Sequence, residues 1–425
     1  MTSVRFIPED SACSIPGLNY LQSHSGNALL ESVIECVILR KNIAVSDVAL
    51  WRRQHPESAV ASAIAVVQSR LKAAGKFPDQ ADRLWAVPEA LEQASSARVA
   101  QYKAQRIAEL AQPKVVLDLC CGIGGDMLAL AGICRVIAAD ISAVRAWMAR
   151  TNAIEFPTKY PVLVVQADLQ SFPIRSKPGC FVHIDPARRS AGKRGNDFAS
   201  MHPSPVIVAE LMRSVSSGVI KLSPAVNFSS LPSGHLELIS ENGTVVQALL
   251  WTGMVGTELG ENKRTATVIC NGTTWSICDL FRDSAAPDEL AAKPEKWLYE
   301  LDGAVTRAGL AGALAHKLNL KWLSPDGGYL TSQHRIEDTA LTPFAVVDDF
   351  IFTESELFRR VQALPLPSPS AAPVIEVKTR GGLGLDTNQL QKKLSTIGGR
   401  GYTVLIYRSA HGKACVIGRR GNMMT

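Results

Sequence analysis

The chain has 425 residues, 46% hydrophobic and 20% charged, which is ordinary for a globular protein and enough for two to four domains. No apolar run approaches the length of a membrane span, residues 1–8 lack the apolar core of a signal peptide, and nine cysteines without a Cys-x-x-Cys pair exclude a zinc cage and a disulfide framework, so reduced thiols in a cytoplasmic protein are expected. The net charge of +6 is uneven: residues 371–425 hold nine Lys or Arg against Glu376 and Asp386, so that segment carries +7 and the remainder −1. A basic module on a neutral body suits a polyanion partner, or simply a solvated surface.

Residues 1–110 read as helical. Residues 26–41 carry Leu29, Leu30, Val33, Ile34, Val37 and Ile38 at helical spacing, and Ala-rich helices are predicted over 58–74 and 88–111. Ser46 and Ser58 are candidate helix starts, each without the acid three residues on that a capping box needs. Residues 76–83 form a polar break, by default a turn with local ion pairs, otherwise a clamp over a ligand.

From 111 to 280 strands and helices alternate, as in a mostly parallel sheet. A strand over 115–119 contains Asp118, and a turn with Gly122, Gly124 and Gly125 leads into a helix over 127–131. Such a turn lets backbone approach a ligand, and a helix start offers free N–H donors. A second strand, 135–139, runs into Asp140, placed to accept hydrogen bonds from ribose hydroxyls. A dinucleotide site would want a third glycine at 127, which is Met127; a turn with no ligand is the plainer alternative. A helix over 141–156 and a strand over 162–166 lead to Asp168, and a strand over 180–184 runs into Asp185-Pro186-Ala187-Arg188. A helix over 204–216 and a strand over 218–222 follow. Strands over 236–239, 245–251 and 266–270 then read as antiparallel, with a hairpin turn at Asn242-Gly243.

Beyond 280 one helix is predicted over 300–318, a turn over 324–328 and a stiff Pro/Ser/Ala linker over 364–373. The basic tail reads as a strand (374–379), a helix (387–395) and a hairpin of 402–407 with 414–417 around His411-Gly412.

Asp185 ends the fourth strand, on the edge where doubly wound sheets bind ligands. A carboxylate there can accept a hydrogen bond from an exocyclic amine, aided by the Pro186 carbonyl, and can offset charge growing on the nitrogen. An ordinary Asp-Pro turn is the alternative. Arg188, Arg189, Lys193 and Arg194 follow at once and suit substrate phosphates, or else form a solvated loop. His183 shares the strand face of Asp185 and reads as a buried, satisfied histidine. Cys180, about 17 Å from Asp185 at ~3.3 Å per residue, lies too far away to serve as a covalent nucleophile. Cys120 and Cys121 read as small packing residues, and Lys221 as part of a strand end that either lines the pocket or does not.

The spacing Asp118-x-Cys120-x-Gly122-x-Gly124 resembles the first motif of class I S-adenosylmethionine (SAM) methyltransferases, with Cys120 where the motif usually has its first glycine. Many nucleobase methyltransferases share that departure. Asp185-Pro186-Ala187-Arg188 resembles the fourth motif of amino- and base-methylating enzymes; Ala187 replaces a proline and no aromatic follows, so no residue takes the base-stacking role. With residues 81–83, 90–94, 263–268, 328–332 and the basic tail, these motifs resemble a bacterial methyltransferase family with a helical N-terminus and a THUMP-like C-terminal domain. The resemblance implies an α/β fold, a class I Rossmann-like sheet that is mostly parallel with an antiparallel end. It implies a helical domain over 1–110, a SAM-binding domain over 111–280, a ferredoxin-like or connecting segment over 281–365 and a THUMP-like α+β module over 366–425. SAM would be held by Asp118, Cys120, Gly122, Gly124, Gly125, Asp126, Asp140, Ile141, Asp168 and Leu169, with Asp140 on the ribose and Asp168 at the adenine amine. Asp185 and Pro186 would be catalytic. Arg188, Arg189, Lys193, Arg194, Lys378 and Arg380 would contact the substrate, and no metal is expected. THUMP domains bind RNA, so tRNA or rRNA is the implied partner. A methyltransferase for a small molecule or protein, and a non-catalytic RNA-binding protein with this fold, are the alternatives.

Overall fold

Six helices come first in the computed structural model: α1 (Ile15–Leu21), α2 (His24–Arg40), α3 (Val45–Gln54), α4 (Glu57–Ala73), α5 (Pro88–Gln93) and α6 (Ala97–Ala111). The structure describes residues 13–171, 179–187, 189–190, 193–194, 198–278, 290–324, 328–365, 375–380, 382–397 and 401–421. Helix α2 buries Leu29, Leu30 and Val33, while Ile38, at the far end of the predicted stripe, is 62% exposed. The single helix expected over 88–111 is two. Ala94 and Ser96 are extended, and Ser96 Oγ accepts the Val99 N–H at 3.2 Å as a new N-cap. The helix starts also differ from Ser46 and Ser58. Helix α3 begins after Ala44, whose N–H donates to Asp47 Oδ2 at 2.9 Å, and α4 begins after Pro56.

The chain divides into two compact units, residues 1–235 with 248–262, and residues 236–247 with 263–425. The first unit carries β1 (Val115–Leu119), α7 (Gly125–Leu130), β2 (Arg135–Asp140), α8 (Ala143–Glu155), β3 (Val162–Gln166) and β4 (Cys180–Ile184). Two short strands, β5 (Arg189–Ser190) and β6 (Lys193–Arg194), form a hairpin, and α9 (Pro205–Ser214) and β7 (Ser217–Leu222) follow. Strands β7, β4, β1, β2 and β3 lie in that order and are all parallel. The N-terminal helices are not a separate body: Leu18, Val33, Val66, Phe77 and Leu91 share one hydrophobic cluster with Ile123, Met148 and Phe156 of the α/β part.

After β8 (His235–Glu241), Asn242 and Gly243 take positive φ angles of 49° and 80°, which lets a two-residue turn match the strand twist. Strand β9 (Thr244–Thr252) begins in the second unit and ends in the first, antiparallel to β7, and α10 (Gly253–Leu259) follows it. Strand β10 (Arg264–Cys270) pairs with β8 in parallel, not antiparallel as the sequence suggested. The reason is connectivity, because β9 reverses the chain once and α10 reverses it again. Strand β11 (Thr273–Cys278) adds antiparallel to β10.

The second unit continues with β12 (Trp297–Leu301), α11 (Gly303–Ala308), α12 (Ala311–Leu318), β13 (Lys321–Trp322), β14 (Tyr329–Ser332), β15 (Leu341–Ile351) and α13 (Glu354–Gln362). It closes with β16 (Glu376–Thr379), α14 (Thr387–Ile397), β17 (Thr403–Ser409) and β18 (Gly412–Arg420). The helix expected over 300–318 is thus a strand end and two helices, because Gly309, at φ 74°, caps α11 in the left-handed region. The seven strands form one sheet, in the order β13-β14-β12-β15-β18-β17-β16. Strand β15 pairs with β18 from Phe344–Arg420 to Ile351–Ala414, so the boundary expected at 365 falls within a single sheet. Most of the expected turn at 324–328 and of the linker at 364–373 lies outside the described residues. Among the described residues no helix is long and apolar enough to cross a membrane.

Candidate active site

The parallel register gathers the strand ends. Leu119 aligns with Ala139 and with Ile184, and Asp140 with Gln166. Cys120, Asp140, Asp168 and Asp185 therefore share the carboxyl edge of the sheet, where open α/β folds bind ligands. The turn after β1 bends through left-handed backbone at Cys120 (φ 58°), Gly122 (φ 56°) and Gly124 (φ 85°). Cys120 sits where a side chain is disfavoured, and Cys121 N–H to Ala139 O (3.0 Å) and Gly124 N–H to Cys121 O (2.9 Å) hold the turn there. Nothing stands within 4 Å of the place a Cβ on Gly122 would occupy, so the outer side of the turn is open to a ligand. Gly125 serves differently. A Cβ there would lie 3.2 Å from Phe77 Cζ and 3.5 Å from Ser95 O, so its bare backbone admits the N-terminal segment.

Asp140 is 6% exposed; its Oδ2 accepts from Gly122 N and its Oδ1 from Ser142 N, both at 2.9 Å. A carboxylate accepts several hydrogen bonds, as contact with a ribose hydroxyl would require. Ile141 is half-buried beside it. Asp168 is also half-buried and accepts from Gln170 N at 2.9 Å, an Asx turn that fixes its direction, with Leu169 buried next to it. Carboxylates at these strand ends around an uncovered glycine turn fit SAM, a cofactor with a ribose, an adenine and a charged tail.

Beneath this edge lies a buried polar cluster. Asp118, fully buried, meets His183 Nδ1 through Oδ1 at 2.7 Å, while its Oδ2 has no partner among the described residues. One Asp118 oxygen is thus taken up by His183, which is the satisfied histidine its position predicted. Burial raises the Asp118 carboxyl above its ordinary range, and the His183 hydrogen bond opposes that. Lys103, 1% exposed on α6, reaches Asp126 Oδ1 at 2.6 Å, Ser95 Oγ at 3.1 Å and His183 Nε2 at 3.3 Å. Ser95 Oγ donates to Asp126 Oδ2 at 3.0 Å. Burial alone would push the Asp126 carboxyl up, but Lys103, His183 and Lys221 together outweigh it and hold the group below the usual range. Burial lowers the Lys103 ammonium. It also lifts the Cys120 and Cys121 thiols well above their ordinary value, so neither is an available thiolate.

Asp185 stands at the edge with its side chain 23% exposed. Its Oδ2 lies 2.6 Å from Nζ of Lys221 on β7, and the same ammonium donates to Gln93 O at 3.1 Å. Pro186 is buried. Gln93 Oε1 in turn accepts from Arg145 at 3.2 Å. The break at 76–83 supports this junction: Lys76 Nζ donates to Leu91 O, Glu92 O and Ala94 O at 2.9, 2.7 and 2.9 Å, which satisfies the open end of α5.

The expected substrate cations are divided. Arg188 lies outside the described residues; Arg189, Lys193 and Arg194 form the β5–β6 hairpin four to nine residues after Asp185. In the second unit, Lys378 and Arg380 both pair with Glu300, at 2.7 and 2.6 Å. Sequence reasoning missed Gln93, Ser95 and Lys103. Lys103 had a signal: it falls in the buried stripe Val99, Ala100, Ala104, Ile107 of α6, where an unpaired lysine would be costly.

No family model matches the chain. Two uncharacterized S-adenosylmethionine-dependent methyltransferases, from Mycobacterium tuberculosis strains CDC 1551 and H37Rv, are each 31% identical to it over 359 residues. The match covers 81% of this chain and 91% of theirs. A solved methyltransferase structure from Porphyromonas gingivalis W83 superposes with a TM-score of 0.76, covering 93% of this chain and 99% of its own. At 20% identity that likeness shows a shared fold.

Proposed function

The chain belongs to the S-adenosylmethionine-dependent methyltransferases, and from that premise we propose that it methylates an exocyclic amine of a base in structured RNA, tRNA or rRNA. One observation carries the reading. Asp185 is held at the carboxyl edge of β4 with one oxygen on Lys221, and its other oxygen has no hydrogen-bond partner among the described residues. SAM supplies an electrophilic methyl group. Asp140 would accept its ribose hydroxyls, the open turn at Gly122 would pass its tail, and Asp168 with Leu169 would meet its adenine. Asp185 and the Pro186 carbonyl would accept the amine's N–H groups, making the nitrogen more nucleophilic and offsetting the charge it gains. The nitrogen lone pair forms the new N–C bond as the C–S bond breaks, and the proton then leaves to solvent. Neither Cys120 nor Cys121 is a thiolate able to attack a ring carbon, which favours an amine target.

The RNA part rests on charge. The +7 excess over 371–425 would meet phosphates, as in a THUMP-like module, and the β5–β6 hairpin brings three cations near Asp185 in sequence. The reading places the enzyme in the cytoplasm with its RNA. A second reading, methylation of a small molecule or a protein, is favoured by the Glu300 pairing that occupies Lys378 and Arg380. Comparing modified nucleosides by mass spectrometry in cells with and without the gene tests the proposal: one methylated base should vanish. An unchanged nucleoside profile in tRNA and rRNA would reject RNA as substrate.

A further inference from the structure

We propose that Lys221 is a positioning residue for methyl transfer: it clamps one oxygen of Asp185, leaves the other aimed at the substrate amine, and is itself held by Gln93 of the N-terminal helices. The inference rests on the assignment of Asp185 to the substrate amine made above.

An aspartate carboxyl on its own is poorly fixed, because its last torsion has a broad, two-fold profile. Asp185 follows the end of β4 with its side chain 23% exposed. Lys221 removes that freedom. Strand β7 runs parallel to β4 with Ile184 opposite Ile220, so Lys221 rises directly alongside Asp185. Its side chain is 4% exposed, and Nζ has two acceptors, Asp185 Oδ2 at 2.6 Å and Gln93 O at 3.1 Å. A lysine loses much rotamer freedom when fixed, and a buried ammonium needs acceptors on its remaining protons. The Gln93 carbonyl supplies one where α5 ends. Its position is set in turn by Lys76 on the neighbouring carbonyls and by Arg145 on Gln93 Oε1. The helical N-terminus thus completes the catalytic edge.

Other groups interact with the pair from around it: Lys103 with both partners, Asp126 with Lys221 and Cys120 with Asp185. None of these touches Asp185, so Lys221 alone among the described side chains sets its orientation.

The test uses the full chain with Lys221→Met, Lys221→Arg, Asp185→Asn and the double variant Lys221→Met/Asp185→Asn. The first measurement needs no RNA. In 13C NMR of aspartate-labelled protein, the Asp185 carboxyl resonance is identified by its loss in Asp185→Asn; Lys221→Met should move it and Lys221→Arg should largely restore it. An Asp185 resonance unmoved by Lys221→Met overturns the proposal. The second is single-turnover methyl transfer from SAM to total RNA from cells lacking the protein. Lys221→Met should slow it about 10–100-fold, the size seen when an outer-shell partner is removed, with SAM affinity unchanged. In the Asp185→Asn background, Lys221→Met should add little, because both act through one carboxylate. Equal losses in both backgrounds would show that Lys221 works through something else. If the wild type methylates no RNA, the substrate reading fails while the resonance of Asp185 still decides the role of Lys221.

Discussion

Replacing Lys103 by methionine removes the centre of the buried cluster and keeps its length. Three contacts go at once, to Asp126 at 2.6 Å, Ser95 at 3.1 Å and His183 at 3.3 Å. Lys103 is 1% exposed and the Asp126 side chain 10%, so solvent screens the pair little. Removing one partner of such a pair leaves an uncompensated charge and costs about 3–5 kcal/mol, a large share of the ~5–15 kcal/mol that holds a domain together. The pH dependence should change sign. In the wild type Asp126 is held below the ordinary carboxylate range, so its contribution is present above that range and lost as pH falls through its lowered value. Without Lys103, burial dominates and lifts the carboxyl, so stability is then lost as pH rises through the raised value. The deficit of Lys103→Met should therefore be larger at pH 7 than at pH 4, and Lys103→Met/Asp126→Leu should recover much of it. Urea denaturation followed by tryptophan fluorescence measures this, since Trp85 and Trp147 stack edge to face at 5.2 Å within the same unit. A loss under about 1 kcal/mol, or a deficit that ignores pH, would refute the reasoning.

Asp140→Ala should weaken SAM binding by about 10–150-fold, the worth of one charge-assisted hydrogen bond, measured by calorimetry; unchanged affinity would remove Asp140 from the cofactor site. Part of that loss will come from the turn, because Asp140 also fixes Gly122 N and Ser142 N. Glu300→Gln frees Arg380 and leaves Lys378 only Glu376 at 3.4 Å, so if the tail contacts phosphates the salt dependence of RNA affinity should steepen by up to about 1.4 in log–log slope, about 0.7 per cation. An unchanged slope would take these two residues off the RNA. Deleting residues 374–425 would not make a clean test, because it strips β16, β17 and β18 from the seven-stranded sheet and bares the edge of β15.

The parallel core was legible because its strands are short apolar runs bounded by turn residues: β1, β3 and β4 begin and end where the pattern placed them. So was the Asn242-Gly243 turn, whose two residues are the ones that tolerate positive φ. The second unit was less legible. The 300–318 stretch has helical spacing throughout, and only Gly309 and the pairing of β12 with β14 and β15 reveal a strand and two helices. Parallel pairing of β10 with β8 depends on a non-local connection that no local pattern carries. At the site, acids at strand ends could be read from position alone. The cations that hold them could not, because Lys103 and Lys221 meet Asp126 and Asp185 across 23 and 36 residues of chain. Lys378 and Arg380 looked like free tail charge, whereas their partner Glu300 stands about 80 residues earlier in a strand that had been read as helix.

The central claim, that Asp185 orients an amine for methyl transfer, is tested most directly by single-turnover transfer with saturating SAM and RNA taken from cells lacking the protein. Asp185→Ala should cut the chemical rate by about 10²–10³ with SAM affinity nearly unchanged, as the loss of one preorganised electrostatic partner does, and Asp185→Asn should be milder because its amide oxygen still accepts one bond. A near-normal rate in Asp185→Ala, or a covalent RNA adduct trapped at any cysteine, would contradict the account.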